Sequence, residues 1–189
     1  MPDLGIDRIR AYTIDRVRNT LEFHGDTETH PGAGPRHLVF HPNGRFAFVI
    51  NEIDSTITSY RYDAEAGELL SIEVVPTLPQ DFNGENTCAE IAVSEDGRFV
   101  YGSNRGHDSI VVYAVDADSG RLTLVEHVST EGAHPRHFAL TPGGRYLIAA
   151  NRDTNNLVVF RVDGATGKLK TTGHSVACSR PVCVKPALF

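Results

Sequence analysis

The feature that most constrains this chain is one segment written three times. PRHLVFHPNGRFAFVINEIDSTITSYRYDAEAGEL begins at Pro35, CAEIAVSEDGRFVYGSNRGHDSIVVYAVDADSGRL at Cys88, and PRHFALTPGGRYLIAANRDTNNLVVFRVDGATGKL at Pro135. The starts lie 53 and 47 residues apart, and the extra length falls after the shared core. That is the pattern of repeated units joined by loops of different size.

Each copy divides in the same way. A short apolar run (Leu38 to Phe40, Ile91 to Val93, Phe138 to Leu140) meets a Gly turn at Asn43-Gly44, Asp96-Gly97 or Gly143-Gly144. A second run reaches an Asn-centred loop at Asn51, Asn104 or Asn151, and a third alternates, as in Ile110-Val-Val-Tyr-Ala-Val. A turn bearing Gly67, Gly120 or Gly167 leads to a fourth run: Leu69 to Val75, Leu122 to Val128, Leu169 to His174. Period-2 patterning with β-branched and aromatic residues between Asn/Asp/Gly turns predicts strands. Each unit is read as a four-stranded antiparallel meander, and four strands per roughly 40–50 residues is the signature of a β-propeller blade. Tyr60, Tyr113 and Phe160, at equivalent strand positions, are expected to pack between blades.

The predicted fold is therefore all-β, a β-propeller of four-stranded antiparallel blades. The chain opens inside a blade: Asp7-Arg-Ile-Arg-Ala-Tyr-Thr-Ile aligns with a third strand, and Leu21 to His24 supplies a fourth. At the other end Pro181-Val-Cys-Val-Lys-Pro matches the first strand Pro135-Arg-His-Phe-Ala-Leu. The division is an incomplete blade over 1–34, blades over 35–87, 88–134 and 135–180, and an orphan inner strand over 181–186. About three and a half blades fall short of the roughly four to eight that close a ring, so a partial ring is expected.

Composition removes several classes of function. A net charge of −6 argues against a nucleic-acid partner, which calls for a basic face. No stretch approaches the roughly 18–20 apolar residues of a membrane helix, and the opening MPDLGIDR carries charges where a signal peptide needs an apolar run. A soluble, cytoplasmic protein is the resulting expectation. The three cysteines, Cys88, Cys178 and Cys183, lack the paired spacing of a disulfide framework or metal site, so no metal and no cofactor are expected. A Cys178–Cys183 bridge is disfavoured in a reducing compartment. There is no glycine-rich phosphate loop, GxSxG elbow or HExxH.

Polar residues interrupt the strand pattern at equivalent places. In an antiparallel pair the start of the first strand and the end of the second share an edge. Arg36-His37, Ala89-Glu90 and Arg136-His137, with His134 just before, thus converge with Asn51-Glu52, Asn104-Arg105 and Asn151-Arg152. One mouth of the channel would hold four arginines, three histidines and two carboxylates on an acidic chain. This local inversion of charge suits a small anion, because arginine grips phosphate or carboxylate with paired hydrogen bonds. Structural roles compete at the same positions. The three asparagines are expected mainly to bridge backbone groups in turns, and Arg36 and Arg136 would pair with Glu52 and Glu90 to join blades. Arg45, Arg98 and Arg145 are expected to face solvent at the opposite edge.

GAGPRHLVFHPNGRFAFVINE, AEIAVSEDGRFVYGSNRGHDSI and HPRHFALTPGGRYLIAANR resemble the bacterial-type 6-phosphogluconolactonase family, the seven-bladed propeller lactonases. The resemblance runs from PDLGIDRI to PVCVK and corresponds to the C-terminal half of a family member about twice this length. It implies hydrolysis of 6-phospho-D-glucono-1,5-lactone to 6-phosphogluconate in the pentose phosphate pathway, without a metal. The fold family also includes muconate lactonizing enzymes, so another small carboxylated lactone is an alternative substrate. Carried over, the cleft comprises Arg36, His37, Glu52, Glu90, Asn104, Arg105, Arg136 and His137, with Arg152 beside it. Glu90, His37 or His137 would act as general base on water, while Arg105 and Arg136 hold the phosphate.

An open arc would expose the apolar faces of its first and last sheets. Three outcomes remain open: a fragment of a longer chain, an inactive truncated product, or self-association of two copies to complete the ring. A non-enzymatic propeller scaffold is the rival function, since one fold hosts many activities.

Overall fold

The second strand of a unit is buried throughout where sheets cover both of its faces. FAFVIN and FVYGSNR are buried throughout. The computed structural model describes residues 1–187. It contains fifteen strands and, among the described residues, no helix. The opening sheet comprises β1 (Pro2–Asp3), β2 (Arg8–Asp15) and β3 (Thr20–Glu28). The second contains β4 (Pro35–Phe40), β5 (Phe46–Asn51), β6 (Thr56–Asp63) and β7 (Glu68–Pro76). The third contains β8 (Thr87–Val93), β9 (Phe99–Arg105), β10 (Ser109–Val115) and β11 (Leu122–Ser129). The fourth contains β12 (Pro135–Leu140), β13 (Tyr146–Asn151), β14 (Asn156–Val162) and β15 (Leu169–Ala177). Each is an antiparallel meander in chain order, and β8 lies between β4 and β12, so the first strands of the three full blades adjoin one another. This is the partial propeller that the repeats predict.

Two details correct the sequence reading. The opening sheet has one strand more than expected, because Pro2 and Asp3 pair with Ile9 and Arg8 in the place of a second strand. Asp3 stands opposite Arg8 as Asn51 stands opposite Thr56 and Asn151 opposite Asn156. The inner strand expected over 181–186 does not form: residues 181–187 carry no strand. Among the described residues no strand pairs with this segment, and the Val184 N–H instead donates to His137 Nδ1 at 3.4 Å.

The core lies between sheets. Tyr60 packs with Ile9 and Val49 between the first two, Tyr113 joins Phe46, Phe48 and Val100 between the next two, and Phe160 joins Phe99, Tyr101 and Phe138 between the last two. A repeated staple fixes each blade at the mouth edge. Thr29, Thr77 and Thr130 each donate through both backbone N–H and Oγ1 to the carbonyls of Asp7, Ser55 and Asp108, and the Cys178 N–H does so to Asn155. Those four acceptors are all left-handed, with φ between 52° and 58°, where Asn and Asp are the least costly non-glycine residues. Cys88, Cys178 and Cys183 are all free thiols.

Candidate functional site

Strand starts and strand ends meet at the mouth as the antiparallel register requires: Pro35 opposite Asn51, Cys88 opposite Asn104, Pro135 opposite Asn151. Proline at a strand start forfeits no ladder bond, since it has no N–H to donate. Immediately after each start the register shifts, between Pro35 and His37, Cys88 and Ile91, and Pro135 and His137. Such a bulge places an extra residue against one on the partner strand and re-aims side chains. It sets two consecutive residues of β4, β8 and β12 at the rim in place of the single one that strict alternation allows.

Two carboxylates organise what gathers there. Glu90 on β8 lies between imidazoles from the blades on either side: Oε1 is 3.0 Å from His37 Nδ1 and Oε2 is 2.9 Å from His137 Nε2. Burial of Glu90 opposes its ionisation, but the hydrogen bonds and charges of His137 and His37 more than reverse that, holding the carboxyl at about 2. Glu52, just beyond β5, lies between Arg36 NH1 at 2.6 Å and Arg105 NH2 at 2.7 Å. Burial again pushes upward, and the two guanidinium groups outweigh it, so Glu52 lies below the usual carboxylate range. Arg36 Nε also donates to the Ala89 carbonyl at 3.0 Å, and Arg105 to the Cys88 carbonyl at 2.5 Å, so both arginines tie neighbouring groups together.

The predicted residues therefore separate. His37, Glu90, His137 and Arg36 line one cleft of about 570 Å³, with Lys185 and Met1. Arg105 is buried, with a side chain only 5% exposed, and is consumed by Glu52 and Cys88. Asn104 is fully buried below the rim, its amide donating to the Thr77 carbonyl and Ser109 Oγ while Oδ1 accepts from Cys88 Sγ at 3.3 Å. Asn151 donates likewise to the Thr130 carbonyl, which is the bridging role weighed from the sequence. Arg152 is held in a two-point contact with Asp153, at 2.6 and 3.2 Å. Arg136 alone among the four arginines has no ion pair or hydrogen bond among the described residues. Burial, and then the charges of Arg36, Arg105 and Arg152, lower its pKa, so an anion placed beside it relieves repulsion among four cations.

Lys185 is the lining residue that sequence reasoning missed. It lies two positions beyond Cys183, which aligns with His37, Glu90 and His137, and extended chain returns a side chain to the same face every second residue. Among the described residues no group of three or more His, Cys, Asp or Glu is arranged to hold a metal ion. A separate hollow of about 600 Å³ lies on the open face of the last sheet, at Tyr146, Ile148 and Val159, away from all these charges.

Four-stranded antiparallel meanders whose first strands adjoin one another define a partial β-propeller. The chain belongs to the lactonase, 7-bladed β-propeller family, whose model matches residues 1–186. It is 45% identical over 140 residues to a 6-phosphogluconolactonase of Bacillus subtilis, covering 74% of this chain and 40% of that one. It is 40% identical over 139 residues to a 6-phosphogluconolactonase of Pectobacterium carotovorum, covering 72% and 41%. Among solved structures, the periplasmic gluconolactonase of Pseudomonas aeruginosa superposes with a TM-score of 0.91 at 35% identity, covering 97% of this chain and 52% of that one. A protein from Lactobacillus plantarum superposes with a TM-score of 0.90 at 37% identity, covering 94% and 51%. The chain thus spans about half the length of these structures and about two fifths of the curated relatives.

Proposed function

We propose that this chain carries the catalytic mouth of a lactone hydrolase that opens a small anionic lactone, 6-phosphoglucono-1,5-lactone to 6-phosphogluconate, in the pentose phosphate pathway. The observation that carries this reading is the conjunction of a half-buried, ionised Glu90 held between two imidazoles with Arg136, a guanidinium lacking a carboxylate of its own among the described residues. A lactone is a reactive ester, so it needs an activated water and a cation for the developing oxyanion more than it needs a covalent intermediate. The imidazoles meet the first need, and Lys185 lines the same cleft for the second. Arg136 then takes the phosphate, a role for which Arg105 is unsuited because its guanidinium is already occupied.

The names of the B. subtilis and P. carotovorum relatives support the phosphorylated substrate, and that of the P. aeruginosa protein supports lactone chemistry more broadly. Compartment follows substrate: a phosphate ester does not cross a bilayer unaided, so this substrate goes with a cytoplasmic site. The test is steady-state hydrolysis of 6-phosphogluconolactone and of glucono-1,5-lactone by the wild-type chain and by Arg136→Ala. A charge-assisted hydrogen bond contributes about 1.5–3 kcal/mol, so KM for the phosphorylated lactone should rise about 10–100-fold while that for gluconolactone stays nearly unchanged. Equal changes on both substrates would remove Arg136 from the phosphate role. No turnover of either lactone by the wild-type chain would overturn the hydrolase reading.

A further inference from the structure

Glu90 meets its two histidines through different ring nitrogens, and this asymmetry divides their roles. The inference rests on the lactone-hydrolase reading and deepens it. An ionised carboxylate can only accept hydrogen bonds, so the nitrogen facing it in each ring must carry the proton. For His37 that nitrogen is Nδ1, 3.0 Å from Oε1, and for His137 it is Nε2, 2.9 Å from Oε2. In the neutral rings the lone pairs then lie on His37 Nε2 and His137 Nδ1. The lone pair of His137 is covered, because Nδ1 accepts the Val184 N–H at 3.4 Å, and the side chain is only 14% exposed. His37 Nε2 has no partner among the described residues, and its side chain is 42% exposed at the cleft. The other charged side chains lining that cleft are Arg36 from β4 and Lys185 from the closing segment.

We propose that His37 Nε2 is the general base that takes a proton from the attacking water, and that Glu90 and His137 are its positioning residues. Water oxygen bonds to the lactone carbonyl carbon, its proton passes to His37 Nε2, and the carbonyl electron pair moves onto oxygen. Glu90 stabilises the imidazolium across Nδ1, as the buried carboxylate of a hydrolytic triad does. The tetrahedral intermediate collapses by breaking the ring C–O bond, and the imidazolium returns its proton to the departing alkoxide. The sum is lactone plus water to hydroxy acid, with no other reactant. Glu90 itself is a poor base because its carboxyl is held at about 2, far from the operating pH. Val184 acquires a role as well: its N–H fixes the tautomer of His137.

Two measurements decide the proposal. Long-range ¹H–¹⁵N NMR on histidine-labelled wild-type protein should give the Nδ1–H tautomer for His37 and the Nε2–H tautomer for His137, and the reverse or a common tautomer overturns the assignment. The pH profile of kcat/KM gives the second readout. Asparagine places an amide near the Nδ1 position and has no base, so His37→Asn should lose about 10²–10⁴-fold in kcat and the acid limb with it. His137→Gln should lose less than tenfold and retain that limb. Survival of the acid limb in His37→Asn together with its loss in His137→Gln would overturn the proposal. Absence of lactone turnover by a wild-type chain with the expected tautomers would overturn the hydrolase reading and leave the tautomer assignment standing.

Discussion

The two edges of these blades obey the same repeat and use it differently. At the far edge the full units repeat the same turn, and neighbouring blades repeat the same side-chain joint. Asp63, Asp116 and Asp163 each accept two backbone N–H groups at the third-strand turn, and Asp15 does the same in the opening sheet. Phe46 and Phe99 each pack under the turn glycine of the next blade, Gly120 and Gly167. At the mouth the backbone repeats just as faithfully, with its bulge, left-handed loop residue and staple, but the rim side chains do not. One register position reads His37, Glu90, His137, and another reads Glu52, Arg105, Arg152. Where the fold needs a side chain, the repeat keeps it. Where the fold needs only a backbone shape, the side chain is released to chemistry, and the charges alternate so that each carboxylate falls between partners from different elements.

The sharpest way to break this comparison is Glu90→Gln, which removes a rim charge while preserving shape. The kcat for lactone hydrolysis should fall about 10²–10⁴-fold, because the histidines lose the charge that orients them. The same variant tests stability against pH. The folded pKa of Glu90, about 2, lies below the unfolded value, so its contribution is fully present above about pH 4.3 and is lost as pH falls toward 2. Urea unfolding should therefore show a wild-type advantage on the order of 3 kcal/mol near pH 5 that vanishes by about pH 2. A constant difference across that range would mean that the charge on Glu90 is not coupled to folding.

At the far edge the corresponding substitution is Gly120→Ala. Gly120 adopts φ +73°, and an added Cβ would lie 2.5 Å from Cδ1 of the fully buried Phe46. Strained backbone and overpacking together should cost about 1–3 kcal/mol of stability, with turnover per folded molecule unchanged. Gly167→Ala, at φ +74° with Cδ1 of Phe99 in the way of the added Cβ, should cost a similar amount. Unequal costs in denaturant unfolding would show that these two interfaces are not one joint used twice.

How much of this was legible in the sequence follows from the same contrast. Blade number and strand order could be read because Gly and Asn punctuate apolar runs at fixed spacing, and the rim residues because antiparallel register brings strand starts to strand ends. Their pairing was legible only in part: Arg36 does meet Glu52, whereas Glu90 pairs with His37 and His137 and not with Arg136. A bulge breaks the period of two that sequence patterns report, so the direction of Arg36, of Glu90 and of their neighbours is set by a local irregularity. Arg105 looked equivalent to Arg152, yet one is buried against Glu52 and the other is held by the Asp153 that follows it. Arg152 is followed by Asp153, whereas Arg105 is followed by Gly106 and meets Glu52 across a blade boundary. Lys185 escaped because its segment forms no strand, so only its spacing from Cys183 pointed to it.

The smallest expected effect discriminates most finely between a contact inside a blade and a contact between blades. Arg98 stacks 5.5 Å from the Phe99 ring centroid and donates across to the Gly164 carbonyl at 2.6 Å, and Arg45 does the same to Phe46, at 5.2 Å, and to the Asp118 carbonyl, at 3.2 Å. Both side chains face solvent in part, as the sequence implied, and contacts of this kind contribute about 0.2–1 kcal/mol. Arg145 holds the same position in the last sheet and has no such acceptor among the described residues. Denaturant unfolding of Arg45→Ala and Arg98→Ala should therefore show small, similar losses, and Arg145→Ala almost none. A loss at Arg145 equal to that at Arg98 would place the stabilisation within the hairpin itself, and the far-edge arginines would cease to count as joints between blades.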